Sequence, residues 1–302
     1  MSGSDQSNPM ELSVVIVSYN AKAHLTNCLR SLYQYTSLRP LEVMVVDNAS
    51  TDGSLAMLAR DFPEVRAIGS PDNIGFSGAN NLAMREAKGR FLLLLNNDAM
   101  VTPGAVDTML RIIQERPEVA VLGPLLRNED GSVQISYGRM LSFHAEAVQK
   151  FLSKGYARGN AFFRRYVETR SKKEAYPDWV SGACLMIRAE ILDKVGMFDD
   201  RFFMYSEEVD FCERVRRGGH RILYTPRAEV IHLGGKSTEA NPEKAAFEYR
   251  RSQLYFYSKH YGRARVRLLK SYLLFSIVIR WILGGPAQRR LQGMLFHLVW
   301  KY

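Results

Sequence analysis

The feature that most constrains this chain is a series of short apolar runs separated by segments with helical spacing. LSVVIVSY (12–19), LEVMVVD (41–47) and RFLLLLNND (90–98) each end in polar residues. Near-continuous apolarity of this length is the mark of strands covered on both faces, as in a parallel sheet. VRAIGS (65–70) and VAVLGP (119–124) extend the series. Between the runs, AHLTNCLRSLY (23–33) spaces Leu25, Leu29 and Leu32 as one helix face, and Ser50-Thr51-Asp52-Gly53 offers caps for a helix through Arg60. Residues 75–87 read as a helix, and Pro103 opens another. Strand-helix alternation implies an α/β layer, with a mixed, mostly parallel sheet flanked by helices.

Beyond residue 124 the pattern loosens. Residues 125–176 read as a strand or hairpin and then a polar, basic, aromatic-dotted stretch, expected to be a mobile insertion. Order returns with WVSGACLMIR (179–188) as a strand and AEILDKVG as a helix ending at Gly196. EEVDFCERVRRGG follows as a helix with a glycine stop, and RILYTP and AEVIHLGG as two strands.

Charge is distributed unevenly. The chain has 41 Lys+Arg against 31 Asp+Glu in 302 residues, yet no acidic residue follows Glu248. Residues 249–302 hold eleven of the cations, so what precedes them carries 30 against 31 and is nearly neutral. A localised excess points to an anionic partner. The same tail is apolar from Leu268 to Leu283, but Lys270 and Arg280 interrupt it. A spanning helix needs about 20 predominantly apolar residues, so a helix lying on an anionic membrane surface fits better. Packing against the rest of the chain with snorkelling cations is the alternative. Nucleic acid is not the expected partner, because long aliphatic runs replace stacking aromatics and polar base readers. The polar start MSGSDQSNPM shows no secretory signal, and Cys28, Cys184 and Cys212 are odd in number and far apart. A reducing, cytoplasmic location on the inner face of the membrane is therefore expected.

The strand ends carry the chemistry. Ser18-Tyr19-Asn20, Asp47-Asn48 and Asn96-Asn97-Asp98 close three strands of the series. Ligands of open α/β sheets bind at such ends. Each cluster alone is an ordinary strand terminator; three together point to one crevice. The turn after the first strand, SYNAKAHL, has no glycine, and no G-x-x-x-x-G-K-[ST] occurs, which excludes dinucleotide and P-loop sites. A buried diphosphate would need a cation instead, such as a hard metal held by Asp98.

In order along residues 12–235, VVIVSYN, VVDNASTDGS, DNIGFSGANN, LLLLNNDAMV, WVSGACLMIR and FFMYSEEVDFCERVRRGGHRILYTPRAEVIHLGG resemble glycosyltransferase family 2, the inverting, metal-dependent nucleotide-sugar transferases of the GT-A fold. Within it the wording is most similar to bacterial rhamnosyltransferase-type enzymes. The resemblance implies that Tyr19 and Asp47 hold a pyrimidine base of a dTDP- or UDP-sugar, and that Asn20, Asn73, Gly75 and Asn97 line the nucleotide site, although Asn73 also suits a cap. Asp98 then binds Mg²⁺ or Mn²⁺, with Asn96 where the family's first Asp stands. His232 matches a second metal ligand, where a structural histidine is the alternative, and Lys236 would meet the diphosphate.

The resemblance also implies that Glu208 is the base that takes the acceptor hydroxyl's proton. Glu207-Glu208-Val209-Asp210 puts three acids at a helix start, where the macrodipole favours ionisation and mutual repulsion raises one pKa. Asp210 would orient the acceptor or Arg214 four residues on. Trp179 and Gly182 would shape the sugar and acceptor pocket, unless Trp179 is core. The implied organisation is a disordered segment 1–11, a GT-A domain 12–240 with a nucleotide half (12–124) and an acceptor half (125–240), and a basic amphipathic helical tail 241–302. The implied activity is transfer of a sugar, L-rhamnose in the first instance, to a cell-surface glycan or polyprenyl-diphosphate-linked acceptor, with galactofuranosyl or hexosaminyl transfer from a UDP-sugar as the alternative.

Overall fold

The computed structural model describes residues 10–234 and 241–302. In chain order the first half is β1 (Leu12–Ser18), α1 (Lys22–Tyr35), β2 (Glu42–Asp47), α2 (Ser54–Asp61), β3 (Arg66–Gly69), α3 (Gly75–Glu86), β4 (Phe91–Asn96), β5 (Ala99–Val101), α4 (Ala105–Glu115) and β6 (Val119–Arg127). The second half is β7 (Val133–Gln134), β8 (Tyr137–Gly138), α5 (Phe143–Ala157), α6 (Ala161–Ser171), β9 (Trp179–Val180), β10 (Cys184–Arg188), α7 (Ile191–Val195), α8 (Glu207–Arg217) and β11 (Arg221–His232). Three helices close the chain: α9 (Pro242–His260), α10 (Arg263–Leu283) and α11 (Pro286–Lys301).

Nine strands form one sheet in the order β3-β2-β1-β4-β10-β6-β11-β5, with β7 beside β6. β1 pairs in parallel with β2 and β4, β2 with β3, and β6 with β11, while β10 runs against both β4 and β6. Six strands therefore point one way, and β5, β7 and β10 oppose them. The sheet is mixed and mostly parallel, as the alternating runs imply.

Side-chain alternation along β1 explains why its run is apolar throughout. Val14 and Ile16 pack with Leu25, Leu29 and Leu32 of α1 on one face, while Val15 packs with Ala79 and Ala83 of α3 on the other. Both faces of the sheet are thus covered. The three cysteines are free and buried.

Three details differ from the sequence reading, each for a physical reason. The stretch expected as a mobile insertion forms α5 and α6, whose caps are Ser142, accepting the Ala145 N–H, and Asn160, accepting those of Phe162 and Phe163. These helices bury few side chains, so their sequence lacks a clear apolar period. RILYTP and AEVIHLGG are one strand, β11, with an irregularity in register between Thr225 and Glu229. Conversely, WVSGACLMIR is split into β9 and β10 by residues 181–183.

The closing helices share the core on the α3 and α8 face, through Leu254, Phe256 and Tyr257 of α9, Leu269 and Leu273 of α10, and Val299 of α11. Their coverage is partial. Phe275, Ile282 and Leu283 of α10 and Trp300 of α11 remain exposed. Among the described residues, no helix is long and apolar enough to cross a membrane.

Candidate active site

The topology creates a crevice. The chain runs outward from β1 to β2 and β3, then returns to place β4 on the other side of β1. Such a reversal leaves an opening at the carboxyl ends of the strands. The ends of β1, β2, β4, β6 and β11 lie on this edge, as does the start of antiparallel β10.

At the β1–β2 end, Asp47 is buried and its Oδ1 accepts the Ser50 N–H at 2.8 Å. Its Oδ2 is sealed from solvent and has no partner. An unpaired buried carboxylate oxygen is costly, and a donor from a ligand would satisfy it. Tyr19 stands beside it, 45% exposed. Asn20, at φ 48°, ties the two strand ends together: its N–H donates to Ser50 Oγ and its Oδ1 accepts the Thr51 N–H at 2.7 Å.

The next loop is fixed by Asn48, which the sequence reading placed at a polar strand end without a role of its own. Its Nδ2 donates to Asn73 Oδ1 at 3.0 Å and to the Gly75 carbonyl, and its Oδ1 accepts the Ile74 N–H. Asn73 Oδ1 also accepts the Gly75 N–H, so Asn73 orders the loop as a cap does. Gly75 has φ 78°, and a Cβ there would lie 2.4 Å from the Phe203 carbonyl oxygen. Only glycine fits. The adjoining Phe76 N–H donates to that oxygen at 2.7 Å, which locks this loop to the segment entering α8. Asn97 is buried across the crevice, with Nδ2 3.4 Å from Ser18 Oγ.

Asp98 and His232 meet because β5 pairs with β11, where His232 stands opposite Ala99. His232 Nε2 lies 3.2 Å from Asp98 Oδ1 and 3.2 Å from Asn96 Nδ2. On the other side of the ring, Nδ1 lies 2.8 Å from Gln134 Oε1. An amide oxygen can only accept, so Nδ1 carries the proton and, in the uncharged ring, Nε2 offers its lone pair beside Asp98. Gln134 therefore orients the imidazole as an outer partner of a metal ligand does. Among the described residues no third His, Cys, Asp or Glu joins the pair. One carboxylate and one imidazole still suit Mg²⁺ or Mn²⁺, which leave their other positions to water and substrate phosphates. Lys236, expected at the diphosphate, lies outside the described residues.

Across the edge stands α8. Tyr205 and Ser206 before it both have positive φ, 72° and 66°. Such backbone costs on the order of 1–3 kcal/mol per residue and persists only where its surroundings hold it. Ser252 of α9 does so by donating to the Met204 carbonyl at 2.7 Å. Burial, and then the neighbouring Glu208, push Glu207 well above the ordinary carboxylate range. Burial also raises Glu208, against hydrogen bonds from its own, the Val209 and the Gly182 N–H groups. Both carboxylates keep an Oε2 that is sealed from solvent and without a partner. Gly182 brings the two sides together: its N–H meets Glu208, while the next carbonyl, Ala183, accepts the Asn96 N–H at 2.9 Å.

Asp210 faces the other way, into the protein. Burial would raise its carboxyl, but hydrogen bonds from His260 and Lys259 and the charge of Arg214 outweigh it and hold the carboxyl low. The distances are 2.7 Å to both His260 Nε2 and Lys259 Nζ and 2.9 Å to Arg214 Nε. The expected Asp210–Arg214 pair is present, and Arg214 also caps the Gly196 and Met197 carbonyls. Neither side chain opens on the crevice with its charge free. Trp179 is likewise enclosed, its indole N–H donating to the Arg139 carbonyl at 2.8 Å. Lys259 and His260 had no sequence signal, since the tail's cations read as a surface feature.

The pattern of Glycosyl transferase family 2 matches residues 13–196. Over 92% of the chain and 91% of the relative, the sequence is 32% identical to the N-acetylglucosaminyl-diphospho-decaprenol L-rhamnosyltransferase of Mycobacterium tuberculosis. It is 27% identical to the rhamnosyltransferase WbbL of Escherichia coli, over 52% of this chain and 60% of that one. In three dimensions it is similar to the mannosyltransferase PcManGT of Pyrobaculum calidifontis, solved with GDP-Man and Mn²⁺. The TM-score is 0.60 at 16% identity, covering 97% of this chain and 70% of that one, a likeness of fold. The chain belongs to glycosyl transferase family 2: it is a GT-A-fold glycosyltransferase, and among its relatives it resembles the bacterial rhamnosyltransferases.

Proposed function

We propose that this enzyme transfers L-rhamnose from dTDP-rhamnose, with inversion, to N-acetylglucosamine on a polyprenyl diphosphate at the cytoplasmic face of the membrane. The observation that carries the reading is that one sheet edge holds both the Asp98–His232 pair and the desolvated Glu208, linked through residues 182–183. The relative named for L-rhamnosyl transfer to N-acetylglucosaminyl-diphospho-decaprenol supports the choice of sugar and acceptor.

In this reading the free Asp47 Oδ2 accepts the imide N–H of the pyrimidine, and Tyr19 covers the ring. Mg²⁺ or Mn²⁺, when bound at Asp98 and His232, would supply the charge that offsets the departing diphosphate. Glu208 takes the proton of the acceptor hydroxyl as that oxygen attacks the anomeric carbon from the face opposite the leaving group. Its burial supports this role, because a carboxylate with a raised pKa is a stronger base. The uncovered apolar side chains of α10 and α11 support seating on the membrane. Among the described residues the nearby cations Arg263, Arg267, Lys270 and Arg290 pair with no carboxylate, which suits anionic lipid headgroups.

A thermal-shift panel of dTDP- and UDP-sugars, with and without Mn²⁺ or Mg²⁺, tests the donor and the metal together. The expected result is a metal-dependent shift, largest with dTDP-rhamnose, that disappears in Asp98→Ala. A larger shift with a UDP-sugar would reassign the donor. An undiminished metal-dependent shift in Asp98→Ala would overturn the metal assignment.

A further inference from the structure

A cavity of about 460 Å³ lies between α5, α6 and the β7–β8 strands, within the range of about 300–1,000 Å³ common for small-molecule sites. Its wall is mostly apolar, with Val133, Ile135, Ala145, Val148, Leu152 and Val167 among the residues that line it. None of the catalytic or nucleotide-site residues described above lines it.

Three features say what the cavity receives. First, it adjoins the reacting centre. Gln134 forms part of its wall and also holds His232 Nδ1, so one side chain separates the cavity from the Asp98–His232 pair. The wall residue Gly138 pairs with Trp179 of β9, three residues before Gly182, whose N–H meets Glu208. Second, the lining carries cations. Arg170 faces the Tyr166 hydroxyl at 2.9 Å and the Tyr137 ring, and among the described residues it has no carboxylate partner. Arg139, also in the wall, is mostly exposed and reaches Asp178 only at 4.0 Å. Third, the far wall includes Tyr261, at the junction of α9 with α10, and Phe143 at the start of α5 packs on Tyr272 of α10. The cavity therefore reaches the α9–α10 junction, next to the helix whose apolar side chains stand uncovered.

An apolar chamber that lies between an uncovered apolar face and a group-transfer site, with arginines in its wall, matches an amphiphile with a diphosphate head and a hydrocarbon tail. We infer that this cavity binds the diphosphate-proximal isoprenoid segment of the acceptor lipid, which presents the acceptor sugar to Glu208. The inference rests on the lipid-linked acceptor proposed above and adds the place where the lipid is held.

The test uses the full chain and a fluorescent farnesyl-diphosphate analogue that carries no sugar, so its readout is independent of turnover. The wild-type protein should bind this probe, and Ala145→Trp, which fills the chamber, should weaken binding at least about tenfold, since several buried methylenes lose their site. Arg170→Gln should weaken it less while leaving the apolar wall intact, which guards against a folding defect in the tryptophan variant. With glycosylated acceptors, Ala145→Trp should raise KM for a polyprenyl acceptor and leave KM for a short alkyl-diphosphate acceptor and kcat unchanged. No probe binding by the wild type would overturn the inference. Equal binding by the wild type and both variants would overturn it too, as would equal KM changes for long and short acceptors. Loss of probe binding accompanied by a halved sedimentation mass would assign the cavity to a second copy of the chain instead. Probe binding by a wild type that transfers no sugar would sink the acceptor reading alone.

Discussion

Glu208, half-buried, and Asp210, fully buried, sit two residues apart on the first turn of α8, yet the protein moves their acidities in opposite directions. Glu208 faces the crevice, where among the described residues its partners are backbone N–H groups and one oxygen is left unpaired. Asp210 faces the core, where three side chains from two helices converge on it. The difference lies in the neighbours each helix face meets. An acidic triplet is thus two devices: an open carboxylate suited to accepting a proton, and a closed one that fastens α8 to α9. The closed device holds the open one at its place on the sheet edge.

The largest expected effect tests the open side. Glu208→Gln should lower kcat by about 10²–10⁴-fold, the usual contribution of a general base, while the donor-induced thermal shift remains. The pH dependence sharpens the assignment. A base must be ionised to act, and this carboxyl is raised, so kcat/KM should fall with decreasing pH through an apparent pKa above the ordinary glutamate value of about 4.3. An acid limb at the ordinary value would break the contrast between the two residues.

The closed side should speak through stability. Removing one partner of a buried ion pair costs about 3–5 kcal/mol, and Asp210→Ala leaves His260 and Arg214 without their anion and Lys259 with Asp199 alone. A large fall in Tm or in the denaturation midpoint is expected. Because the folded-state pKa is lowered, this stabilisation is present above the unfolded aspartate value of about 3.9 and is lost as pH falls through the folded one. The Tm gap between Asp210→Ala and wild type should therefore narrow in acid. A variant with wild-type stability and tenfold lower activity would place Asp210 among the acceptor-contacting groups instead.

How much of this could be read beforehand follows the range of the interactions. Strand runs such as VVIV and LLLL register burial on both sheet faces, so the sheet and its polar ends were legible, including Asp47, Asp98 and His232. The helical pair α5–α6 was not, because a helix that buries only Val167 and Ser171 leaves no apolar period to find. The tail's internal pairs were hidden in a different way. Its lack of acids after Glu248 pointed to an anionic partner outside the chain, yet Lys259 is paired with Asp199 and Asp210. These carboxylates lie up to 60 residues earlier in the chain, and only the folded packing brings them to Lys259. Gln134 was invisible for the same reason, since its meaning comes from His232, 98 residues away.

The smallest effect concerns Glu207, the residue between the two devices. Its carboxyl is raised by burial and then by Glu208, and Glu208 is itself raised by burial. With Glu208 as the sole base, Glu207→Gln, which keeps the shape and removes only the acid, should leave the acid limb of kcat/KM in place. Stability should change at the other end of the scale. A raised folded pKa means that stability is fully present below the unfolded value and is lost as pH rises through the folded one. The glutamine variant escapes that loss. Its Tm should match wild type in acid and exceed it at alkaline pH, by an amount on the order of 1 kcal/mol or somewhat more for a buried unpaired oxygen. If the acid limb instead moves to lower pH in Glu207→Gln, Glu207 ionises first, and the two glutamates share the base between them.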